Sequence, residues 1–213
     1  MIKQKSMLSG GIILLFGFFI FSFFIHFGRF VTTDLRITEF LQSVFPRIVD
    51  TSFSFFSLIG SLEFASLILF LIGAIYRKLN FIYVLGLYGL MAVIELISKA
   101  FVPHFPPPFK FFRYDLGFQF PSSYVRPGYS YPSGHGARTA FISAIVLVFI
   151  WNNKKLSKNQ KIFFIICLLI FDLIMFVSRI YLGEHWASDV IGGILIGASF
   201  GLISSSIIFS KSK

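Results

Sequence analysis

Six apolar runs occupy most of this chain, and each is close to the length that a helix needs to cross a lipid bilayer. A helical span takes about 20 mostly apolar residues. Only 13% of the residues are charged, against roughly 25% in soluble domains. The sequence therefore predicts an all-α membrane protein, a six-transmembrane-helix bundle in a single domain over residues 1–213. The runs lie at about residues 7–28, 53–76, 79–101, 135–152, 162–181 and 186–208.

Basic residues concentrate in the segments before, between and after alternate runs, and these segments contain no Asp or Glu. Cytoplasmic segments carry such an excess of Lys and Arg. We therefore expect a multi-pass protein of the cell membrane with cytoplasmic termini, and loops around 30–52, 102–134 and 182–185 on the extracytoplasmic side. The basic residues are Lys3, Lys5, Arg77, Lys78, Lys154, Lys155, Lys158, Lys161, Lys211 and Lys213.

This topology also explains the formal net charge of +10. The positive charge belongs to short hairpins and not to one basic folded face, so nucleic-acid binding is not predicted. Three further cations, Lys99, Arg138 and Arg179, lie at the outer ends of predicted helices. Charges near a membrane are costly unless they pair or face a polar cavity. Lys99 or Arg179 alone could snorkel to the interface, but three cations at one depth favour a shared polar site.

The stretch "PSGH" at residues 132–135 stands at the start of the fourth run. Ser133 can cap the helix that follows, and Gly134 permits a close approach of the backbone. The same helix start offers unpaired N–H groups and a positive dipole end, which favour an anion. From this stretch alone, both a cap and an anion site remain open.

A second motif, "SRIYLGEHWASD", leads into the sixth run. His185 and Asp189 are four residues apart in it, so they share one face of a helix. A carboxylate bonded to one imidazole nitrogen fixes the tautomer and leaves the other nitrogen to act. His135 of the first motif lies at the same outer layer. Two histidines therefore converge on a cationic region between helix ends.

Two histidines, a carboxylate, several cations and a helix N-terminus suit phosphoryl transfer. Cations and N–H groups hold the nonbridging oxygens, one histidine can attack phosphorus, and the other can protonate the departing oxygen. A zinc site fits less well, because two histidines without a third ligand are a poor match and the cations would repel the metal. The sequence predicts neither a metal nor a cofactor.

The two motifs resemble the second and third signatures of the type 2 phosphatidic acid phosphatase family. The third signature is Ser-Arg, five residues, His, three residues, Asp, and it is matched by Ser178, Arg179, His185 and Asp189. The resemblance covers roughly residues 99–189. It implies six membrane helices, an outward-facing site and no need for a metal.

The resemblance also implies roles for the matched residues. His185 would be the nucleophile that forms a phosphohistidine, Asp189 would orient it, and His135 would be the general acid. The residues that would bind phosphate are Lys99, Ser133, the Gly134 backbone N–H and Arg179.

The family's first signature, Lys, six residues, then Arg-Pro, is incomplete here. It begins at Lys99, but Pro106 stands at the Arg position, and proline carries no charge. Arg126, on the same outer loop, is predicted to supply the missing cation, with Arg138 as the next candidate. His104 is interpreted as an interfacial loop histidine.

The function that follows is an integral-membrane lipid phosphatase, whose substrate and bilayer are its only predicted partners. Isoprenyl diphosphate, phosphatidate, phosphatidylglycerophosphate and a glycolipid phosphate are all admissible substrates. Two alternatives stay open. The same phosphohistidine could pass its phosphoryl group to another lipid, as in a phosphotransferase. The lost Arg would also suit a non-catalytic lipid transporter or binding relic.

Overall fold

The computed structural model describes residues 2–76, 80–117 and 128–209. Within these ranges the chain forms eight α-helices, three short 3-10 helices and no strand. The α-helices are α1 (Gln4–His26), α2 (Val31–Val44), α3 (Asp50–Ser57), α4 (Leu62–Tyr76), α5 (Phe81–Phe101), α6 (Gly134–Asn152), α7 (Lys158–Tyr181) and α8 (Ala187–Ile208). The 3-10 helices are Arg47–Val49, Leu58–Gly60 and Phe109–Phe111.

Among the described residues, five helices are each long and apolar enough to cross a membrane: α1, α5, α6, α7 and α8. The predicted run 53–76 differs from them because it is broken at Ser61. The segments on either side, Arg47–Gly60 and Leu62–Ala74, are bent by 49°. Ser61 adopts an extended conformation, and its side chain caps α4 by accepting the Phe64 N–H at 3.3 Å. Counted as one span, this pair gives six, so the predicted all-α six-span bundle is confirmed with a bent second span.

The outer loop expected around residues 30–52 is partly helical, because it contains α2. Asp34 and Thr38, four residues apart on α2, are both buried, which gives this short helix a polar inner face. The Asp34 carboxylate accepts hydrogen bonds from the backbone N–H and the hydroxyl of Ser188, at 2.9 and 2.6 Å. These bonds attach α2 to the first turn of α8.

Helices α6 and α8 pack backbone against backbone through glycines. Gly193, Gly197 and Gly201 repeat every four residues along α8, and a Cβ at each would overlap a carbonyl oxygen of the facing segment. Small residues are the usual means by which membrane helices approach closely. The contact holds the start of α6 against the start of α8 and so brings the two sequence motifs together. The three carbonyl oxygens belong to Ser133, Ala137 and Phe141.

We expect Gly197→Ala to destabilise the bundle, because its Cβ would overlap the Ala137 backbone, which cannot move aside as a side chain can. Overpacking of this kind costs about 1–3 kcal/mol, so thermal unfolding in detergent should occur at a lower temperature. Gly86→Ala on α5 is the matched control, since a Cβ there meets nothing within 4 Å. Equal unfolding temperatures for the two variants would contradict the backbone contact.

Candidate functional site

The "PSGH" motif forms the N-terminus of α6. Ser133 is the N-cap, and its Oγ accepts the Gly136 N–H at 3.3 Å, so the predicted cap is present. The cap does not use every donor, because the first four N–H groups of a helix have no intrahelical acceptor. Gly134 and His135 lie in that first turn, where the helix dipole is positive. The helix start therefore remains available to an anion.

Glu95 holds two of the predicted cations beside this helix start. Its carboxylate lies 3.8 Å from Lys99 Nζ and 3.3 Å from Arg138 Nη1. Arg138 also donates from Nε to the Gly60 carbonyl at 3.1 Å. A Cβ on Gly134 would overlap Glu95 Oε1 and lie 2.8 Å from Arg138 Nη1, so this ion pair lies close to the motif and leaves no room for a side chain at Gly134.

Arg179 is buried and enters the site from the end of α7. Its guanidinium contacts the Ser57 hydroxyl and the Glu184 carboxylate, and it lies 6.0 Å from the centre of the Tyr114 ring. Its Nε is buried without a hydrogen-bond partner in the described part of the chain. Buried donors are normally paired, so Arg179 keeps the capacity to bind an oxygen of an anionic ligand.

His185 lies in the turn before α8, and its Nδ1 is 3.4 Å from Asp189 Oδ2. The same oxygen accepts the Trp186 N–H at 3.0 Å, and the Asp189 backbone carbonyl accepts the Ser133 N–H at 2.9 Å. Donation from Nδ1 to the carboxylate leaves Nε2 of His185 as the basic nitrogen. The two residues are thus in contact as their spacing predicts, but His185 precedes α8, so they do not share the face of a helix.

Burial lowers the pKa of His185 to about 4, and the charges of Lys99 and Arg179 act in the same direction. The nearby Asp189 opposes this shift without overcoming it. His185 is consequently neutral near pH 7, which is the form that a nucleophilic or basic imidazole needs.

The interpretation of His104 as an interfacial loop residue is wrong. Its side chain is buried, with Nδ1 at 2.7 Å from Asp189 Oδ1 and Nε2 at 3.6 Å from Asp34 Oδ2. Burial opposes a charge on this imidazole, but hydrogen bonds and charge from the two carboxylates outweigh burial and raise the pKa of His104 to about 9. The site therefore contains a chain of alternating carboxylates and imidazoles: Asp34, His104, Asp189 and His185.

The remaining predicted residues fall around these groups. His135 lies in the first turn of α6, and its ring packs against Gly60, where a Cβ would come within 3.1 Å of Cδ2. Arg126 lies outside the described residues, so its role as the substitute cation stays a prediction. No three His, Cys, Asp or Glu side chains of the described ranges form a group that could hold a metal ion.

The sequence analysis did not name three residues of the site, Asp34, Ser57 and Glu184, and it gave the fourth, His104, no role in the site. Glu184 had a local signal, since it lies inside the third motif between Arg179 and His185. His104 had a weaker one, as a polar residue in the incomplete first signature. Asp34 and Ser57 belong to α2 and α3, outside the motif region, and only the packing of those helices brings them to the site.

The protonated His104 should make stability depend on pH. Its pKa of about 9 in the folded protein lies above the ordinary 6.5, so its stabilising effect is complete below pH 6.5 and is lost as pH rises through 9. The difference in unfolding temperature between wild type and His104→Gln should thus be larger at pH 6 than at pH 10. A difference that is constant or grows with pH would contradict the charged pair.

Comparisons with known proteins agree with this fold. The family model of the PAP2 superfamily matches residues 77–213. Phosphatidylglycerophosphatase B of Bacillus subtilis is 28% identical over 144 residues, which are 65% of this chain and 65% of that protein, just under two thirds of its length. The crystal structure of a transmembrane PAP2 type phosphatidylglycerolphosphate phosphatase from Bacillus subtilis superposes with a TM-score of 0.73 at 19% identity, covering 91% of this chain and 93% of that one. Aquifex aeolicus LpxE superposes with a TM-score of 0.57 at 24% identity, covering 80% and 93%.

Proposed function

Because this chain belongs to the PAP2 superfamily, we propose that it is an integral-membrane lipid phosphatase working through a phosphohistidine. One observation carries the proposal: the start of α6, which contains His135, is bonded through the Ser133 N–H to the Asp189 carbonyl, and Asp189 contacts His185, with Lys99 and Arg179 buried in the same site. This combination supplies a neutral imidazole, a second imidazole and positive charge for a phosphate, without a metal.

The proposed reaction has two displacements at phosphorus. In the first, Nε2 of His185 bonds to phosphorus while the bond to the lipid oxygen breaks, and His135 gives that oxygen a proton. Asp189 holds the Nδ1–H of His185 and stabilises the positive charge that develops on the ring. In the second, His135 takes a proton from water, whose oxygen attacks phosphorus and releases His185. Inorganic phosphate and a dephosphorylated lipid are the products.

The phosphate oxygens would be held by Lys99, Arg179, the Ser133 hydroxyl and the Gly134 N–H. The position of the absent cation at Pro106 would be covered by Arg126, as the sequence predicts, or by Arg138. The closeness of the Arg138 guanidinium to Gly134 supports the second possibility. Removing one charged donor from such a site costs on the order of 100-fold in rate, so comparing Arg126→Ala with Arg138→Ala would identify the substitute.

Phosphatidylglycerophosphate is the first substrate to test, because the Bacillus relative is named for its hydrolysis. Phosphatidate, isoprenyl diphosphate and a glycolipid phosphate complete the panel. We expect release of inorganic phosphate from detergent-solubilised protein, unchanged by excess chelator and inhibited by vanadate. Release that disappears with chelator and returns with magnesium would contradict the proposed mechanism. Transfer of the phosphoryl group to another lipid would favour the phosphotransferase, and no turnover at all would favour a transporter or relic.

The nucleophile can be tested by substitution and by labelling. We expect His185→Ala to abolish turnover, since no other group would then form the bond to phosphorus. Wild-type protein quenched without acid during turnover of ³²P-labelled lipid should carry the label on His185. The exposed His26 at the end of α1 provides the control, because His26→Ala should retain full activity. Label on a different residue would overturn the assignment.

The site is proposed to face away from the cytoplasm, at the outer ends of the helices, as the distribution of Lys and Arg indicates. After replacement of the single native Cys167 by Ser, a Cys at the exposed Ser43 of α2 should react with a membrane-impermeant thiol reagent in intact cells. A Cys at the exposed Lys155, in the hairpin between α6 and α7, should react only after lysis. The opposite pattern would reverse the orientation.

A further inference from the structure

We propose that His104, held by Asp34, is a positioning residue for Asp189 and, through it, for His185. In this arrangement His104 fixes one oxygen of the Asp189 carboxylate so that the other oxygen is directed to Nδ1 of His185. The inference rests on the phosphatase mechanism proposed above, and it adds two residues that the family signatures do not contain.

The distances around Asp189 show which contact sets the orientation of its carboxylate. Oδ1 lies 2.7 Å from Nδ1 of His104, while Oδ2 lies 3.0 Å from the Trp186 N and 3.4 Å from Nδ1 of His185. Hydrogen bonds from nitrogen to oxygen weaken beyond about 3.2 Å. His185 is thus the most weakly held of the three partners, and it cannot by itself fix the carboxylate that must orient it. The His104 contact is the shortest and leaves Oδ2 for His185.

Asp34 makes this contact possible by holding the other side of the ring. Its carboxylate lies 3.6 Å from Nε2 of His104 and is itself anchored by the N–H and hydroxyl of Ser188. The imidazolium donates a hydrogen bond from Nδ1 to Asp189 and forms an ion pair with Asp34 through Nε2. A charged donor strengthens the bond to Asp189. Along this chain of residues, Asp34 is negative, His104 is positive and Asp189 is negative. His185, which follows them, is neutral.

The backbone around His104 is fixed as well. Its carbonyl accepts both the N–H and the hydroxyl of Ser130, at 2.8 and 3.0 Å. The neighbouring Phe105 carbonyl accepts the indole N–H of Trp186 at 2.7 Å. The loop after α5 is therefore attached to the segment before α6 at His104 and to the start of α8 at Phe105.

A direct role in phosphate binding fits this geometry less well. Nδ1 of His104 is bonded to Asp189, and Nε2 faces the Asp34 carboxylate at 3.6 Å, so a phosphate oxygen at either nitrogen would meet a negative charge. His104 would accordingly affect the rate of the chemical step and not the affinity for substrate.

Two amide substitutions separate the two contacts of the ring. The amide nitrogen of Asn can stand near the position of Nδ1, so His104→Asn can keep the bond to Asp189. The longer Gln places its amide near Nε2, so His104→Gln keeps the Asp34 side and loses Asp189. With phosphatidylglycerophosphate, or the best substrate of the panel, we expect His104→Gln to lower kcat by about 10- to 100-fold, the usual effect of losing such an orienting partner, with KM unchanged. His104→Asn should recover most of that loss, and His26→Gln is the matched control.

The rate of each variant should be divided by the amount of vanadate bound at saturation, because this amount gives the number of correctly folded sites. A raised KM and weakened vanadate binding at unchanged kcat in His104→Gln would identify a phosphate ligand and overturn the positioning role. Equal kcat losses in the Asn and Gln variants would overturn it too. If His104→Gln does not fold, Asp34→Asn takes its place, because an amide keeps an oxygen for Ser188 but removes the charge beside the ring. We expect it to lower kcat at unchanged KM, and full activity would count against the proposal.

A measurement without turnover separates this inference from the proposed function. In ¹⁵N-histidine-labelled protein in micelles near pH 7, the His185 signals should show a proton on Nδ1 in wild type and in His104→Asn, and mixed tautomers in His104→Gln. If the wild type is inert toward every lipid phosphate, the proposed phosphatase function is wrong. The His185 tautomer in the two variants still tests the positioning role in that case. An unchanged tautomer in His104→Gln overturns that role even in an active enzyme.

Discussion

The backbone contact between α6 and α8 is the constraint on which the rest of the structure depends. Neither motif forms a site alone, because "PSGH" offers an anion position and the His185 turn offers reactive groups. The glycines of α8 let the two helix starts approach until the Ser133 N–H reaches the Asp189 carbonyl at 2.9 Å. Side chains at these positions would separate the helices, and with them the two histidines. The arrangement of the groups at the starts of α6 and α8 therefore depends on helix packing further along the two helices.

Carboxylates pair with the cations of the site and would compete with a phosphate for them. Glu95 is shared between Lys99 and Arg138, so neither cation is isolated in the absence of a phosphate. Arg179 contacts Glu184 from the loop beside His185. Under the mechanism proposed above, a phosphate entering the site would meet cations that are already positioned and would replace only part of their pairing. Preorganised cations of this kind stabilise transition-state charge without having to move during the reaction.

The sequence predicted those features that depend on the spacing of residues close together in the chain. Long apolar runs fix the number of spans, the interval of four residues pairs His185 with Asp189, and Ser133 followed by Gly134 begins a helix. The contact of Asp34 with His104 joins residues 70 positions apart in helix and loop, and no local pattern indicates such a pair. The bend at Ser61 was missed because hydropathy registers apolar length and does not register whether the backbone continues as one helix.

That bend rearranges donors and acceptors within the second span. In an unbroken helix, the Gly60 carbonyl would accept the N–H of Phe64, four residues on. Here that N–H is bonded to the Ser61 hydroxyl, and the Gly60 carbonyl instead accepts Arg138 Nε at 3.1 Å. Because the Ser61 hydroxyl takes the Phe64 N–H, the Gly60 carbonyl is free to accept a hydrogen bond from Arg138. The span contributes polarity to the site from its peptide backbone, so its apolar composition gives no sign of that contribution.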